Sequence, residues 1–351
     1  MNEAGNRSGD LLLRGDRVPD FSLPSADGRT LLFYEYATGG PLLIGACATG
    51  WDAATRTAFA AAVRELAEAW NWPSIVVCDS GSTANGSADH IVLIDSGARL
   101  RARLFGGVLS ENEGVCAATD ANLRLLDGCV VTAEELVGES PAPEMRAMVA
   151  EASGQLAEDE DAGMAAPVLI VPRVLPEALC AELCDRFAEW NPLESPMPGD
   201  DGASLRTDSA RKSRRDATID DSELEQEVTA CIARRVLPEV SKAFHYRATR
   251  FERPKLVCYA ADGAGHFAAH RDNTAPATAH RRFALTLNLN AGHYRGGALR
   301  FPEYSRTREY SPPAGGAIVF SCSHAHRVTP VTRGERYALV SFMFADEAQR
   351  R

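Results

Sequence analysis

The sequence contains no apolar run approaching the ~18 residues that a membrane-spanning helix needs, so no transmembrane segment is expected. It has no Cys-x-x-Cys pair, and its nine cysteines are odd in number and irregularly spaced. That usage suits reduced thiols in a cytoplasmic setting better than a disulfide framework. Basic excess is also missing: 37 Lys and Arg stand against 48 Asp and Glu, a net charge of −11, which argues against general binding to nucleic acid or anionic membranes. The first ten residues, MNEAGNRSGD, hold no apolar core, so no secretory leader is expected there and residues 1–10 read as disordered. What is present is length and apolar content. At 351 residues and 45% hydrophobic, the chain is long enough for two domains with cores of their own.

The stretch from Phe251 to Phe344 carries most of the chemistry. Short apolar or alternating runs at 255–259, 282–290, 298–301, 317–320 and 337–344 are separated by Gly, Pro and Asn clusters, the pattern of many antiparallel strands in a sandwich or barrel. Six of the eight histidines fall here. His270 and Asp272 are i and i+2, and on an extended segment such residues share a face. His326 opens another strand-like run. Two imidazoles and one carboxylate with open positions suit Fe(II). Arg336 follows His326 in Gly334-Glu335-Arg336-Tyr337, and its guanidinium is suited to a dicarboxylate. Each residue taken singly also has a plain structural reading: Asp272 before Asn273 suits a turn, and Arg336 suits a surface ion pair. His324 shares a face with His326 and is a rival ligand.

In order along the chain come Tyr259, His270 and Asp272, Gly296-Gly297-Ala298-Leu299-Arg300-Phe301, Gly316 and Phe320, His326 and Arg336. This series resembles the Fe(II)/2-oxoglutarate-dependent dioxygenases, in particular their prolyl-4-hydroxylase-like branch. The resemblance implies a double-stranded β-helix (jelly roll) with flanking helices over 167–351. It implies that His270, Asp272 and His326 bind Fe(II) and form the catalytic set. Arg336, Tyr259 and Asn288 would bind 2-oxoglutarate, with O2 as oxidant and ascorbate as a candidate reductant. The expected reaction is hydroxylation of a C–H bond in a small molecule or a peptide or protein, with release of succinate and CO2. Arg271, Asn273, Arg282 and His324 flank these positions and are the candidate substrate-facing residues.

Residues 11–137 read differently. A buried strand at 41–47, an Ala-rich helix at 53–70 with Phe59, Val63, Leu66 and Trp70 near helical spacing, and strands at 75–78 and 90–94 make a β-α-β run. With the opening Gly-Asp-x-x-Pro-Asp-Phe-x-Leu, this resembles the peroxiredoxin branch of the thioredoxin fold. The family's Pro, Thr and nucleophilic Cys positions are here Cys47, Trp51 and Ala54. The nucleophile is therefore absent, and the domain reads as non-catalytic, a homodimerising or presenting module. A thiol redox sensor or peroxidase with an accessory metal-binding jelly roll is the rival reading.

Between the domains, 138–166 reads as an acidic linker with one helix in its middle. A strand at 167–172 and a helix at 176–190 follow. Residues 194–217, rich in Gly, Ser and charge, including Lys212, Arg214 and Arg215, read as an exposed loop or a mobile lid. Ser222 with Glu225 reads as a capping box opening a helix that runs to about Phe244.

Overall fold

In the computed structural model the chain divides into two compact units, Met1–Met164 and Ala165–Arg351. The structure describes residues 13–25, 28–37, 39–79, 89–96, 100–101, 110–138, 141–162, 164–198 and 205–346. The stretch 1–10, expected to be disordered, lies outside the described residues.

Unit 1 opens with a hairpin of β1 (Ser22–Pro24) and β2 (Thr30–Leu32) and a short helix α1 (Phe33–Tyr36). Its core is a five-stranded sheet in the order β5-β4-β3-β6-β7. Strands β3 (Leu42–Ala46), β4 (Ser74–Cys78) and β5 (His90–Ile94) are parallel, whereas β6 (Glu113–Thr119) and β7 (Leu125–Thr132) are antiparallel. Helix α2 (Ala53–Trp70) starts where the Asp52 carboxylate accepts from the Thr55 amide, and stops at Asn71, whose φ of 54° is left-handed. Phe59, Val63 and Leu66, three or four residues apart, go into the core. After α3 (Ala133–Gly138), helix α4 (Pro143–Ala162) sends Met145, Met148, Val149 and Ala152 into that same core. Most of the expected linker is thus an integral helix of unit 1, because its apolar residues recur at helical spacing.

Unit 2 is mostly sheet, with a double-stranded β-helix core. The larger sheet runs β8 (Leu169–Val171), β20 (Ala317–Ser321), β17 (Phe283–Asn288), β23 (Glu335–Phe344), β15 (Lys255–Ala260), β13 (Arg215–Thr218) and β9 (Leu193–Glu194), with β14 (Arg250–Phe251) also on β23. The smaller runs β12 (Lys212–Ser213), β16 (His266–His270), β21 (His326–Val328) and β19 (Leu299–Arg300). Strand pairs β10 (Met197–Pro198) with β11 (Leu205–Arg206) and β18 (Arg295–Gly296) with β22 (Val331–Arg333) complete it.

Side-chain alternation decides the two faces. From β15, Leu256 and Cys258 pack with residues of α5 (Glu177–Asp185), α6 (Ser222–Arg235) and α7 (Leu237–Phe244). Val257 and Tyr259 point the other way, toward Leu299, Phe301 and Val328 of the smaller-sheet side. A one-residue slip would exchange the faces, so the register of β15 against β23 fixes which groups reach the interior.

Several expectations need correction here. The helix expected at 176–190 gives way at Arg186 to a 3-10 turn over Phe187–Trp190. The helix expected from Ser222 to Phe244 divides at Val236, since Pro238 at the start of α7 has no N–H to continue it. Its cap is Asp221, whose carboxylate accepts from the Glu223 and Leu224 amides, with Ser222 the first helical residue. Residues 212–218 are paired strands, not an exposed loop or lid, because β12 and β13 add to β16 and β15; 199–204 lie outside the described residues.

Candidate metal centre

His270 ends β16 and His326 opens β21, and the antiparallel register sets them directly opposite each other. Asp272 lies two residues beyond, where its amide donates to the Cys322 carbonyl at 3.0 Å. Its carboxylate faces both rings: His270 Nε2 is 3.5 Å from Oδ1 and His326 Nε2 is 3.4 Å from Oδ2. One ligand atom from each of the three lies within 4.8 Å of the others. Each ring's second nitrogen meets a backbone carbonyl, His270 Nδ1 at Ala268 O (2.8 Å) and His326 Nδ1 at His324 O (3.1 Å). A carbonyl only accepts, so both Nδ1 atoms carry a proton and both Nε2 atoms are left facing the carboxylate.

Two imidazole Nε2 atoms and a carboxylate thus converge. Burial pushes the Asp272 carboxyl up, but the His326 and His270 imidazoles and Arg281 outweigh it and hold it at about 2. Burial, with His270 beside it, pushes His326 down to about 4. Near neutral pH, Asp272 is therefore ionised and His326 neutral, the forms that bind a cation. Phe267 stacks on His270 at 3.5 Å and Phe320 packs on His326 at 4.6 Å, so aromatic rings wall the centre from water.

A buried ion pair ties the ligand-bearing loops together. Arg271, between two of the three residues, donates from Nη2 to Glu303 Oε1 at 2.7 Å and from Nε to the Ser323 carbonyl at 3.0 Å. The other Glu303 oxygen accepts from the Ala325 amide at 2.7 Å. Both side chains are essentially inaccessible. Desolvation makes such a pair costly to break from one side.

Further in, Tyr259 on β15 and Arg336 on β23 are register partners. Buried Arg336 lies 5.3 Å from the Tyr259 ring centroid and donates from Nη2 to Asn288 Oδ1 at 2.9 Å. Asn288 is held by its own amide donating to the Pro312 carbonyl at 2.8 Å. Gly296 and Gly297 adopt left-handed φ of 76° and 64°, and a Cβ on Gly297 would press on Arg336 Cδ at 2.7 Å. That close approach is why a glycine pair precedes Ala298. Two buried polar atoms here lack a protein partner, Arg336 Nε and the hydroxyl of Tyr294, whose ring adjoins the same glycine. Unpaired buried donors are costly and mark where a ligand's acceptors fit.

The remaining expected residues are placed as follows. His324 stays outside the converging set, its Nδ1 3.2 Å from the Tyr304 hydroxyl. Asn273 donates to the Ser323 hydroxyl at 2.9 Å. Arg282 donates to the Ala279 carbonyl at 2.9 Å; the cation beside Asp272 is instead its neighbour Arg281, also paired with Glu252 at 2.6 Å. The substrate-facing reading of Arg271 is wrong, because it is buried on Glu303. Glu303, Tyr294 and Arg281 were not expected from the sequence, and Arg214 was expected in an exposed loop or lid, whereas it donates to the Tyr259 hydroxyl at 3.1 Å and pairs with Asp216. No spacing rule flags them; only the fold brings them in.

Comparison with known proteins adds a family to this geometry. Residues 254–344 match the 2OG-Fe(II) oxygenase superfamily. That segment spans Tyr259 through Arg336 and so includes all three converging residues. A PKHD-type hydroxylase of Synechococcus sp. (strain JA-2-3B'a(2-13)) is 36% identical over 102 residues, 26% of this chain and 45% of that protein. The chain thus spans less than half the length of that curated relative. A PKHD-type hydroxylase of Hyphomonas neptunium is 29% identical over 196 residues, 52% of this chain and 82% of that protein. Among solved structures, a Pseudomonas putida prolyl-4-hydroxylase is 20% identical with a TM-score of 0.40, covering 54% of this chain and 98% of its own. Among the described residues, no helix is long and apolar enough to cross a membrane.

Proposed function

We propose that unit 2 is an Fe(II)- and 2-oxoglutarate-dependent hydroxylase acting on a C–H bond of a small molecule or a peptide. The observation that carries this is the convergence of His270, Asp272 and His326 with both Nε2 atoms turned inward. An ionised Asp272 beside the neutral ring of His326 presents lone pairs to a cation, and two imidazoles with one carboxylate are the donor set of non-haem Fe(II). Bound Fe(II), with 2-oxoglutarate and O2, supplies the oxidation of the C–H bond while the cosubstrate becomes succinate and CO2.

The protein's own contribution is binding, orientation and exclusion of water. Arg336 would pair with the distal carboxylate of the cosubstrate, and the Tyr294 hydroxyl would donate to that group. Asn288 holds the guanidinium in its orientation from behind, and Tyr259, itself held by Arg214, forms the floor. Phe267, Phe301 and Phe320 keep the centre dry. For unit 1 we favour a thioredoxin-like fold, on its central parallel strands, the antiparallel pair β6 and β7, and α2 packed alongside; Ala54 in the first turn of α2 leaves that turn without a thiol.

The test is succinate release by the full-length protein with Fe(II), 2-oxoglutarate and O2 against panels of small metabolites and peptides. At least one panel member should raise succinate above the substrate-free rate, with its mass increased by one oxygen. Absence of 2-oxoglutarate binding to the Fe(II)-loaded protein would remove the assignment.

A further inference from the structure

We propose that Cys47 and Cys78 of unit 1 form a reversible dithiol–disulfide site, oxidised by a peroxide. This does not rest on the function proposed for unit 2. Cys47 follows the last residue of β3, and Cys78 is the last residue of β4. The parallel register pairs Ala46 with Val77, and the Cys47 amide donates to the Val77 carbonyl at 2.8 Å, so the ladder holds the two cysteines abreast. Neighbouring strands lie ~4.8 Å apart, within the ~4.4–6.8 Å that separates disulfide-bonded Cα atoms. The two Sγ atoms stand 2.8 Å apart. Closing to the ~2.05 Å of a disulfide needs a side-chain movement of under about 1 Å.

The surroundings set the rate. Both residues are buried, 3% and 1% exposed. The hydrogen bond with Cys78, together with burial, pushes the Cys47 thiol up. Opposing these is Arg56, one turn into α2, which donates to Asp79 at 2.8 Å and whose charge favours the Cys47 thiolate. Cys47 is thus held as the thiol at rest and reacts slowly, with Arg56 the group that favours its thiolate.

The step balances without further reagents. Cys47 gives its proton to solvent and its sulfur attacks one oxygen of hydrogen peroxide; the O–O bond breaks, a sulfenic acid forms, and hydroxide leaves to take up that proton. The Cys78 sulfur then attacks the sulfenic sulfur; the S–O bond breaks and water leaves with the Cys78 proton. Two thiols and one peroxide become one disulfide and two waters. This is stoichiometric oxidation of a buried pair, not peroxidase turnover. Two other pairs serve as internal references, Cys116 and Cys129, register partners across β6 and β7, and Cys180 and Cys184, one turn apart on α5.

The experiment treats the full-length protein, with a chelator present to suppress iron-driven oxidation, with hydrogen peroxide. Samples are quenched, denatured, alkylated and mapped by mass spectrometry. The expected product is a peptide pair linked through Cys47 and Cys78, lighter by two hydrogens, reversed by dithiothreitol, and formed about tenfold faster than any Cys116–Cys129 link. Cys78→Ser, close in size, should abolish the link; should that variant not fold, the parent map alone decides. Cys47 and Cys78 remaining alkylatable while other thiols oxidise overturns the proposal, as does a Cys47–Cys78 link that appears only in denaturant.

Discussion

Each unit of this chain brings chemistry-bearing side chains into contact at a strand end, and the two differ in where the protons are. At the ends of β3 and β4, two cysteines face each other, and the hydrogen bond between them, with burial, favours the protonated form of Cys47. Between β16 and β21, the Nε2 atoms of two imidazoles face an ionised carboxylate, because backbone carbonyls take both Nδ1–H groups and the surrounding charges hold Asp272 ionised. Burial is common to both. What separates a resting thiol pair from a cation site is a fixed acceptor on the far side of each ring, which removes the choice of tautomer.

The largest expected effect comes from removing the carboxylate. Asp272→Ala should weaken Fe(II) or Co(II) binding by more than about a hundredfold and abolish succinate release, with the thermal midpoint of the apo protein little changed. His324→Ala, by contrast, should keep full metal stoichiometry, while His326→Ala should lose it. Retained metal in Asp272→Ala would dissolve the contrast between the units.

Next is the buried clamp. Glu303→Gln removes the buried carboxylate that balances the charge of Arg271, so unit 2 should lose roughly 3–5 kcal/mol of stability and about ten- to a hundredfold in metal affinity. The double variant Arg271→Met/Glu303→Leu should recover the stability but not the affinity, because the Ala325 amide still lacks its acceptor. Calorimetric unfolding and metal titration separate the two outcomes.

Arg336→Ala should raise the 2-oxoglutarate KM about ten- to a hundredfold, for loss of a charge-assisted pair worth ~1.5–3 kcal/mol at ~1.4 kcal/mol per decade. Metal binding should be unaffected, and Arg336→Lys should recover part of the loss. Tyr294→Phe should cost about fivefold, the worth of one neutral hydrogen bond at ~1 kcal/mol. Titrating 2-oxoglutarate into anaerobic Fe(II)-loaded protein measures all three.

The smallest effect concerns Lys212, whose ammonium lies 4.8 Å from the Phe267 ring centroid and 3.2 Å from the Pro196 carbonyl. Burial, with Arg214 nearby, pushes it down to about 7. Between pH 7 and its ordinary value of 10.5, the unfolded chain binds the extra proton, so this lysine costs most stability below pH 7. Lys212→Met should therefore raise the melting temperature by a few degrees at pH 6, with the gain shrinking toward pH 10. A gain independent of pH would show that the amine is not desolvated.

The convergence of His270, Asp272 and His326 was legible in the sequence because their chemistry is rare and their spacing follows strand geometry, His270 and Asp272 two apart and His326 at a strand start. The sequence also carried α2, whose apolar residues recur at helical spacing, and β5 to the residue. It did not carry β6 and β7, where Gly114 and Gly128 interrupt short Ala- and Cys-containing runs that lack a strong two-residue period; Gly114 is needed because the Trp51 indole occupies the space a Cβ would take. Glu303 and Tyr294 were illegible for another reason. Their roles arise from partners at other elements, Arg271 and the Ala325 amide for Glu303 and the Gly297–Arg336 slot for Tyr294, and nothing local announces them.

The register that sets His270 opposite His326 has a mechanical consequence. A metal ion held by both is a cross-link between two strands far apart in the chain, closing a loop that the unfolded chain leaves open. It binds only when β16 and β21 are paired, so occupancy acts on the equilibrium between closed and locally open sheet. Backbone amides of these two strands should exchange with deuterium more slowly once metal is bound, while those of β3 and β4 in unit 1 keep their rates. The ion would then serve as a fastener of the smaller sheet as well as its reactive centre.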